Sequence, residues 1–382
     1  MNIPETVRKT LERLEEAGFE AWLVGGCVRD SLMGRGGGDY DICTSARPEE
    51  TKAVFADCRV IETGIRHGTV TVLWEGLPME ITTFRCDGDY SDGRHPDSVA
   101  FTPSLEEDLK RRDFTINAMA WSPRRGLVDL YNGQEDLHRK RIRCVGEAKK
   151  RFREDGLRIL RAMRFAARFG FEIEYDTAAA MHREAPLLCI LSVERVLTEL
   201  RGILCGKGAA AVVEEFADVL RVVIPELRDT MLPEHAPADF RLRMALLLRD
   251  DAEEVLRRLK SDNATLHAVS LLAEGLREGP VQTVPAMRRR LSRQGEENAR
   301  LLAAVQRTEA LLAETLAAGG PFSVRELAIG GRELAALGME KGPAIGEALQ
   351  KLLEAVWDED CPNEEEALLS YARACLLSSP LR

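Results

Sequence analysis

The chain has 382 residues with 53 Lys and Arg against 63 Asp and Glu, which gives a formal net charge of −10. Its 45% hydrophobic and 30% charged residues are typical of a soluble globular protein with two or three domains. We find no apolar run of about 18 residues and no signal-peptide core, so we expect a cytoplasmic protein without a membrane partner. No sequence feature indicates a protein partner.

The positions of the cysteines and of the charged residues further narrow the class of protein. Nine cysteines occur without any Cys-x-x-Cys spacing, which argues against a zinc site or a disulfide framework. Segment 110–168 contains 17 Lys and Arg but 7 Asp and Glu, so it carries +10 and the remainder carries −20. An acidic protein with one basic segment can bind a polyanion there, although a solvated helix face explains such a run equally well.

The first 145 residues combine short strands and short helices. Hydrophobic periodicity predicts helices over 5–17 and 28–33, and the sequence around Pro48 is a good helix start. Alternating or β-branched apolar runs predict five strands: 21–26, 40–44, 69–74, 79–84 and 127–131. This segment is therefore expected to be a small mixed α/β domain.

After about Glu147, strand patterns disappear and amphipathic runs take over, separated by glycine and proline. Eight such runs predict helices: 150–169, 193–205, 209–224, 240–260, 263–277, 297–317, 323–337 and 343–357. The fold class is therefore α+β, a mixed α/β domain followed by an all-α region.

An Asp-Tyr-Asp triplet opens the second predicted strand. Residues i and i+2 of a strand point to the same face, so Asp39 and Asp41 bring two carboxylates towards one cation-sized point. Mg²⁺ is commonly held by one or two carboxylates together with substrate phosphates. The triplet lacks the spacing of an EF-hand calcium loop. Ordinary polar residues at a strand end remain the alternative.

A Gly-Gly turn ends the first predicted strand. Gly25 and Gly26 allow backbone N–H groups to approach a triphosphate, and Arg29 can add a charge-assisted contact. The turn is not a dinucleotide fingerprint, because that motif needs G-x-G-x-x-G.

A third carboxylate lies inside an apolar strand pattern. Glu80 is flanked by Met79 and Ile81, where a buried carboxylate is unfavourable unless it is paired or bound to a metal. Glu80 is therefore a candidate third acid beside the Asp pair. The alternative is an outward-facing glutamate on a half-exposed strand.

Two further groups of charged residues follow. Arg112 is a candidate phosphate clamp, while Asp113 and Asn117 would share a helix face and suit ribose hydroxyls, unless Asp113 is a plain helix cap. Asp155 and Arg158, three apart on the predicted helix 150–169, present an acceptor beside a donor fork, which is complementary to a base edge. Arg161 and Arg164 continue the same stripe. The alternative for the Asp155–Arg158 pair is a weak surface salt bridge.

Five motifs occur in order along residues 20–205, and together they resemble the class II tRNA nucleotidyltransferases, the CCA-adding enzymes of bacteria and eukaryotes. The quoted segments are LVGGCVRD with DYD, RRDFTINAMA, LVDLYNGQEDL, REDGLRILRAMRF and SVERVLTEL. The resemblance implies a polymerase-β-like nucleotidyltransferase head at 1–146, a helical neck at 147–207 that selects the base, and a tRNA-binding body and tail at 208–382.

The resemblance also implies a two-metal reaction that adds CCA to the 3′ end of tRNA from CTP and ATP, with Mg²⁺ as cofactor. The implied metal ligands are Asp39 and Asp41, with Glu80 as a third catalytic acid. The resemblance also implies a set of nucleotide-binding residues. These are Gly25, Gly26, Arg29, Arg112, Asp113, Asn117, Asp155, Arg158, Arg161 and Arg164. The Asp155–Arg158 pair resembles the family's amino-acid template.

Other activities remain open within the wider family. An enzyme that adds only A, and a bacterial poly(A) polymerase, share this head; the full-length segment 85–109 favours addition of A as well as C. A non-catalytic RNA-binding protein and a small-molecule nucleotidyltransferase are rivals from other classes. Segment 246–251 has no His-Asp doublet, so we expect no phosphohydrolase activity.

Overall fold

The structure is a computed structural model that describes residues 1, 3–36, 39–88 and 99–376. The part of the predicted full-length segment 85–109 between 89 and 98 lies outside the described residues. The chain forms two compact units, Met1–Thr230 and Met231–Arg382. The three-part division at 1–146, 147–207 and 208–382 stays a prediction. Across the described residues, no helix combines the length and apolar character that crossing a membrane requires.

The first unit is built on a seven-stranded mixed sheet with the order β3-β4-β5-β2-β1-β8-β9. The strands of the chain are β1 Ala21–Val24, β2 Asp41–Thr44, β3 Arg59–Ile61, β4 Thr69–Trp74, β5 Leu77–Thr83, β6 Arg85–Asp87, β7 Val99–Phe101, β8 Ala120–Ser122, β9 Gly126–Val128, β10 Arg141–Ile142 and β11 Glu172–Ile173. Strands β6 and β7 form a separate pair, as do β10 and β11.

Helices account for most of the remaining chain. They are α1 Glu5–Glu16, α2 Gly26–Leu32, α3 Pro48–Val54, α4 Leu105–Lys110, α5 Gly133–His138, α6 Ala148–Glu154, α7 Leu157–Phe169, α8 Tyr175–Glu184, α9 Val193–Leu204, α10 Ala209–Glu215, α11 Ala217–Arg221, α12 Phe240–Leu248, α13 Ala252–Arg258, α14 Asn263–Glu278, α15 Val284–Gln306, α16 Glu309–Ala318, α17 Gly331–Ala336, α18 Pro343–Trp357 and α19 Glu365–Tyr371. The predicted α+β class is confirmed.

Apolar side chains cover both faces of the sheet. On one face, Leu11 and Leu14 of α1 pack in a cluster with Leu23, Ile42 and Ile81. On the other face, a smaller cluster contains residues that alternate with these along β1 and β2, together with residues from neighbouring segments: Trp22, Val24, Cys43, Phe84, Leu109 and Ala120. Val24 of this cluster pairs with Asp41 in the register of the sheet, so Asp41 lies at the border of the cluster, where β2 begins.

Several predicted helices are divided in the structure. The predicted helix 150–169 breaks into α6 and α7, because Asp155 adopts extended backbone angles of φ −146° and ψ 106°. The predicted helix 240–260 breaks at Arg249, whose φ is 50°. The predicted helix 297–317 starts close to a kink inside α15, where Gly295 has φ 75° and ψ 161° and joins two helices, and it is divided at Arg307, where φ is 58°.

Candidate functional site

The register of the sheet places two acids side by side. Strand β2 runs parallel to β5, and Asp41 pairs with Glu80 in that register, while Ile42 pairs with Ile81. Paired residues of neighbouring strands point to the same face, so Asp41 and Glu80 share the face opposite the α1 cluster. Asp39 lies in the bend before β2, so the predicted strand pairing of Asp39 with Asp41 on one face is wrong. Its charge nevertheless acts on Asp41, so all three predicted acids influence this edge of the sheet.

The electrostatics of this edge are unfavourable for a free carboxylate. Protein packed around the carboxylate raises the pKa of Asp41, the negative charge of Glu80 raises it further, and Asp39 adds to the effect. The guanidinium of Arg112 acts in the opposite direction. All three acids are nevertheless solvent-exposed residues. Glu80 thus faces outward, so burial is not the reason for its presence, and its position beside Asp41 is what links it to the site.

The described acids do not by themselves form a complete metal-binding site. In the described part of the chain, no three His, Cys, Asp or Glu side chains lie close enough to hold a metal ion by themselves. This agrees with a site in which two carboxylates need substrate oxygens to complete the coordination shell.

The Gly-Gly turn brings an arginine to the same edge. Gly25 precedes α2 with φ 73° and ψ −129°, a conformation that only glycine adopts readily. A Cβ atom on Gly25 would lie 3.3 Å from Nη1 of Arg112 and 3.9 Å from Oδ2 of Asp41. A Cβ on Gly26 would lie 3.5 Å from Nη2 of Arg29. The turn therefore lies directly between an acid and two arginines.

We expect Gly25→Ala to lower the rate of nucleotide incorporation beyond what its lower free energy of unfolding explains. The left-handed conformation disfavours alanine by about 1–2 kcal/mol, and the new methyl group would push against the Arg112 guanidinium. Steady-state incorporation of CMP, together with urea unfolding, measures the two effects. Gly18→Ala is the matched control, because Gly18 has φ 90° and nothing within 4 Å of the added Cβ. Equal loss of activity in both variants would contradict the assignment.

Arg29, predicted as a triphosphate contact, is engaged inside the protein. Its side chain is only 5% exposed. Nη1 donates to Oδ1 of Asn117 at 2.5 Å, and Nε donates to Oδ1 of Asp30 at 2.8 Å. The guanidinium lies over the rings of Phe165 and Phe169, at 5.3 and 4.9 Å from their centroids. In this arrangement Arg29 fixes the Asn117 amide and joins α2 to α7.

Asp113 is the centre of a buried polar network. Its Oδ1 accepts from the Phe114 backbone N–H at 2.8 Å and from Nδ2 of Asn117 at 3.1 Å. Its Oδ2 accepts two donors of Arg161, Nε at 2.9 Å and Nη2 at 2.6 Å. The predicted shared helix face is wrong, because Thr115–Asn117 is a single 3-10 turn. Asp113 and Asn117 do meet, and the turn is what brings them together.

We expect this network to make the protein sensitive to acid. Burial alone would raise the pKa of Asp113, but the charge and hydrogen bonds of Arg161 hold it at about 2, below the ordinary value of 3.8. The resulting stabilisation is complete above about pH 4 and is lost as the pH falls towards 2.

Asp113→Asn should therefore lower the free energy of unfolding at pH 7 by roughly 2 kcal/mol and flatten its dependence on pH below 4. Urea unfolding at pH 7 and pH 3 measures this. Asp57→Asn is the control, because Asp57 pairs with Arg13 through a side chain that is 67% exposed. An Asp113→Asn protein as stable as the control at pH 7 would contradict the role of the network.

The predicted Asp155–Arg158 pair is not an ion pair in the structure. Nη1 of Arg158 donates to Oε2 of Glu154 at 2.6 Å and to the carbonyl of Arg151 at 3.1 Å, while Nη2 donates to the carbonyl of Arg111 at 3.1 Å. Oδ2 of Asp155 instead accepts from Nη2 of Arg195 at 2.8 Å. The predicted i, i+3 relation on one helix is wrong because Asp155 lies between α6 and α7.

Asp155 also shapes the start of α7. Its Oδ1 accepts from the backbone N–H of Leu157 at 3.0 Å, and such side-chain capping satisfies a donor that the first turn leaves unpaired. Both carboxylate oxygens of Asp155 are thus used. The break in the helix, which the sequence analysis missed, is what orients Asp155 and Arg158 separately.

Arg164 is held against α9. Its Nε donates to Oε2 of Glu199 at 2.6 Å, and its guanidinium lies 4.4 Å from the Phe165 ring centroid. A Cβ on Gly202 would lie 2.3 Å from Cδ of Arg164, so only glycine leaves room for the arginine to cross α9. Arg164 therefore helps to fix α7 against α9.

Sequence reasoning missed the carboxylates and the arginine that hold these side chains: Asp108, Glu154, Arg195 and Glu199. A signal was present for three of them. Arg195 and Glu199 lie four apart in the motif SVERVLTEL, so they share one face of α9. Asp108 of α4 stands four residues before Arg112, which lies just beyond the end of that helix.

Models of protein families match three consecutive parts of the chain. Residues 21–143 match the poly A polymerase head domain. Residues 170–231 match the probable RNA and SrmB-binding site of polymerase A, and residues 240–372 match the second domain of a tRNA nucleotidyltransferase. The first match contains the acids, the Gly-Gly turn and the Arg112–Asn117 segment.

Individual proteins match along almost the whole chain. The CCA-adding enzyme of Geobacillus kaustophilus is 38% identical over 383 residues, with 94% of each chain covered. That of Geobacillus stearothermophilus is 36% identical, also with 94% of each chain covered. A crystal structure of the Bacillus stearothermophilus CCA-adding enzyme in complex with CTP matches 98% of each chain, with 34% identity and a TM-score of 0.82. By fold, sequence and length, this chain belongs to the family of CCA-adding enzymes, which are tRNA nucleotidyltransferases.

Proposed function

We propose that this chain adds cytidylate, cytidylate and adenylate in turn to the 3′ end of tRNA, using CTP and ATP and releasing pyrophosphate. The observation that carries the proposal is the register that sets Asp41 beside Glu80, next to the Gly25 turn and Arg112. Acids and a phosphate-binding cation at one sheet edge suit nucleotidyl transfer, since catalysis of that reaction is mainly positioning and charge stabilisation.

We propose Mg²⁺ as the cofactor, held by Asp39 and Asp41. Protein packed around the Asp41 carboxylate and the charges of Glu80 and Asp39 raise the pKa of Asp41, and we infer that a divalent cation would offset this excess of negative charge. When two ions are bound, one would lower the pKa of the tRNA 3′-hydroxyl and the other would stabilise the charge of the departing pyrophosphate. We propose that Glu80, beside Asp41, is the third catalytic acid.

The other predicted residues divide by what they contact. We propose that Arg112, which lies near Asp41, binds the triphosphate. We propose that the Asn117 amide, fixed by Arg29 and Asp113, contacts the ribose. Two N–H donors of Asn117 are available in principle, and Asp113 takes one of them, so one remains for a ribose oxygen.

Base selection is assigned to the junction of α6 and α7. Asp155 and Arg158 are 17% and 11% exposed and are each fixed by partners of their own, so the positions of the carboxylate and the guanidinium are already ordered before nucleotide arrives. We propose that they read the Watson–Crick edge of the incoming base in place of a nucleic-acid template. Arg161 and Arg164 support them through Asp113 and Glu199.

We propose tRNA as the partner, bound through its acceptor arm by the basic segment 139–168 and by the helical region. Phosphate contacts without base readout are what this composition suits. The division into head 1–146, neck 147–207 and body with tail 208–382 belongs to the same proposal, as does a cytoplasmic location.

The deciding experiment extends three tRNAs that end in the discriminator base, in C or in CC, with labelled CTP and ATP. Extension of all three to CCA supports the proposal. Extension of the CC end alone would make the chain an A-adding enzyme. A long A tail would make it a poly(A) polymerase, and no extension by any nucleotide would leave an RNA-binding role.

A further inference from the structure

A buried carboxylate holds the two arginines of the RRD motif from behind. Asp108 of α4 is fully buried. Its Oδ1 accepts Nε and Nη2 of Arg111 at 3.1 and 2.7 Å, and its Oδ2 accepts Nη2 of Arg112 at 3.1 Å. Each arginine retains contact with solvent, at 18% and 19% exposure. Asp108 is thus a bridging acceptor beneath two partly open guanidinium groups.

The geometry gives Arg112 a defined direction. With Nη2 held by Asp108, Nη1 lies next to the Gly25 turn and near Asp41. Nε of Arg112 is buried and has no hydrogen-bond partner among the described residues. A side chain with one donor pinned and one donor aimed at the acids is ordered in advance for an anionic ligand, which is how binding avoids the loss of side-chain freedom.

We propose that Asp108 is a positioning residue for nucleotide binding: it fixes Arg112 so that Nη1 faces the triphosphate beside the acids. This inference rests on the proposed nucleotidyl transfer and names a residue outside the predicted site. Asp108 does not touch the nucleotide, and it acts through Arg112.

The charge of Asp108 and its role in positioning Arg112 predict opposite effects of its loss on triphosphate binding. Arg111, Arg112 and Asp108 together carry one net positive charge. Asp108→Asn adds a second, which by charge alone would strengthen the binding of a triphosphate. However, the new amide nitrogen would face a donor of Arg111 or Arg112, and the arginines would lose their fixed direction. Weaker triphosphate binding therefore reports positioning.

The test uses full-length protein and compares CTP with CMP. In Asp108→Asn, we expect the Kd of CTP and the Ki of inorganic tripolyphosphate to rise about tenfold, because a charge-assisted hydrogen bond loses its geometry. The Kd values of CMP and tRNA should change by no more than about twofold. Asp136→Asn is the matched control, since Asp136 is 2% exposed and accepts from Nε of Arg143 at 2.8 Å and from Oγ1 of Thr115 at 2.6 Å.

The possible results separate cleanly. Unchanged or tighter CTP binding, or equal weakening of CTP and CMP, overturns the proposal; so does an equal change of the CTP-to-CMP ratio in Asp136→Asn. If Asp108→Asn does not fold, Asp108→Glu is measured in the same way, because it keeps the charge but moves the carboxylate by one methylene. If the unchanged protein extends no tRNA, the proposed function fails, whereas the ratio of CTP to CMP binding still tests Asp108.

Discussion

Replacing Asp41 by asparagine is expected to lower incorporation of CMP and AMP by about 10³-fold or more, with little change in tRNA binding. Asparagine has nearly the same shape but cannot supply the negative charge that a divalent cation needs. It also removes a carboxylate from the side of Glu80, so the folded protein should be no less stable. Single-turnover extension at saturating Mg²⁺, with urea unfolding and a tRNA-binding assay, measures all three quantities.

Two glutamates of the β4–β5 hairpin, one in its turn and one inside β5, test the same site by a second route. Glu80→Gln should lose activity, because Glu80 is paired with Asp41 in the sheet. Glu75→Gln should not lose activity, because Glu75 lies in the turn and accepts a hydrogen bond from Thr6 instead.

Substantial incorporation by Asp41→Asn at any Mg²⁺ concentration would show that the metal assignment is wrong.

Arg158→Ala is expected to reduce the choice of base more than the binding of the triphosphate. A donor fork matched to a base edge contributes about 1–3 kcal/mol of discrimination, so the preference for CTP over UTP in kcat/KM should fall roughly 10- to 100-fold. The Ki of inorganic tripolyphosphate should remain nearly the same. Competition between CTP and UTP on a tRNA ending in C measures the preference directly.

Arg153→Ala is the companion variant for this prediction. Arg153 lies in the neighbouring helix α6, is 60% exposed and pairs with Glu184 rather than with the residues at the helix junction. Its loss should leave base preference unchanged. A similar loss of kcat/KM for all four nucleotides in Arg158→Ala would argue against a role in reading the base.

The acids and the fold class were open to prediction because local rules govern them. An i, i+2 pair at a strand start and alternating apolar residues in β4 and β5 are properties of short segments. That Glu80 pairs with Asp41, however, depends on the parallel pairing of two strands that are distant in the chain. The motif order supplied that link by resemblance, and the sheet register supplies it physically.

The partners of the arginines were not predictable from spacing. A stripe of Asp155, Arg158, Arg161 and Arg164 is what a continuous helix would show, but the helix breaks at Asp155. Asp113 then takes Arg161, and Glu199 takes Arg164. Each pair joins α7 to a segment that is distant in the sequence. The carboxylates of Asp113 and Glu199 therefore do not belong to the periodic pattern formed by the arginines.

The parallel pairing of β2 with β5 has a consequence for recognising distant relatives. Asp41 and Glu80 are brought together by strand register, so the number of residues that connect them is free to vary between homologues. The spacing of Asp39 and Asp41 is set within one short segment, because Asp39 lies in the bend directly before β2, which begins at Asp41. A search pattern should therefore keep the two aspartates two apart and allow a gap of any length before the glutamate.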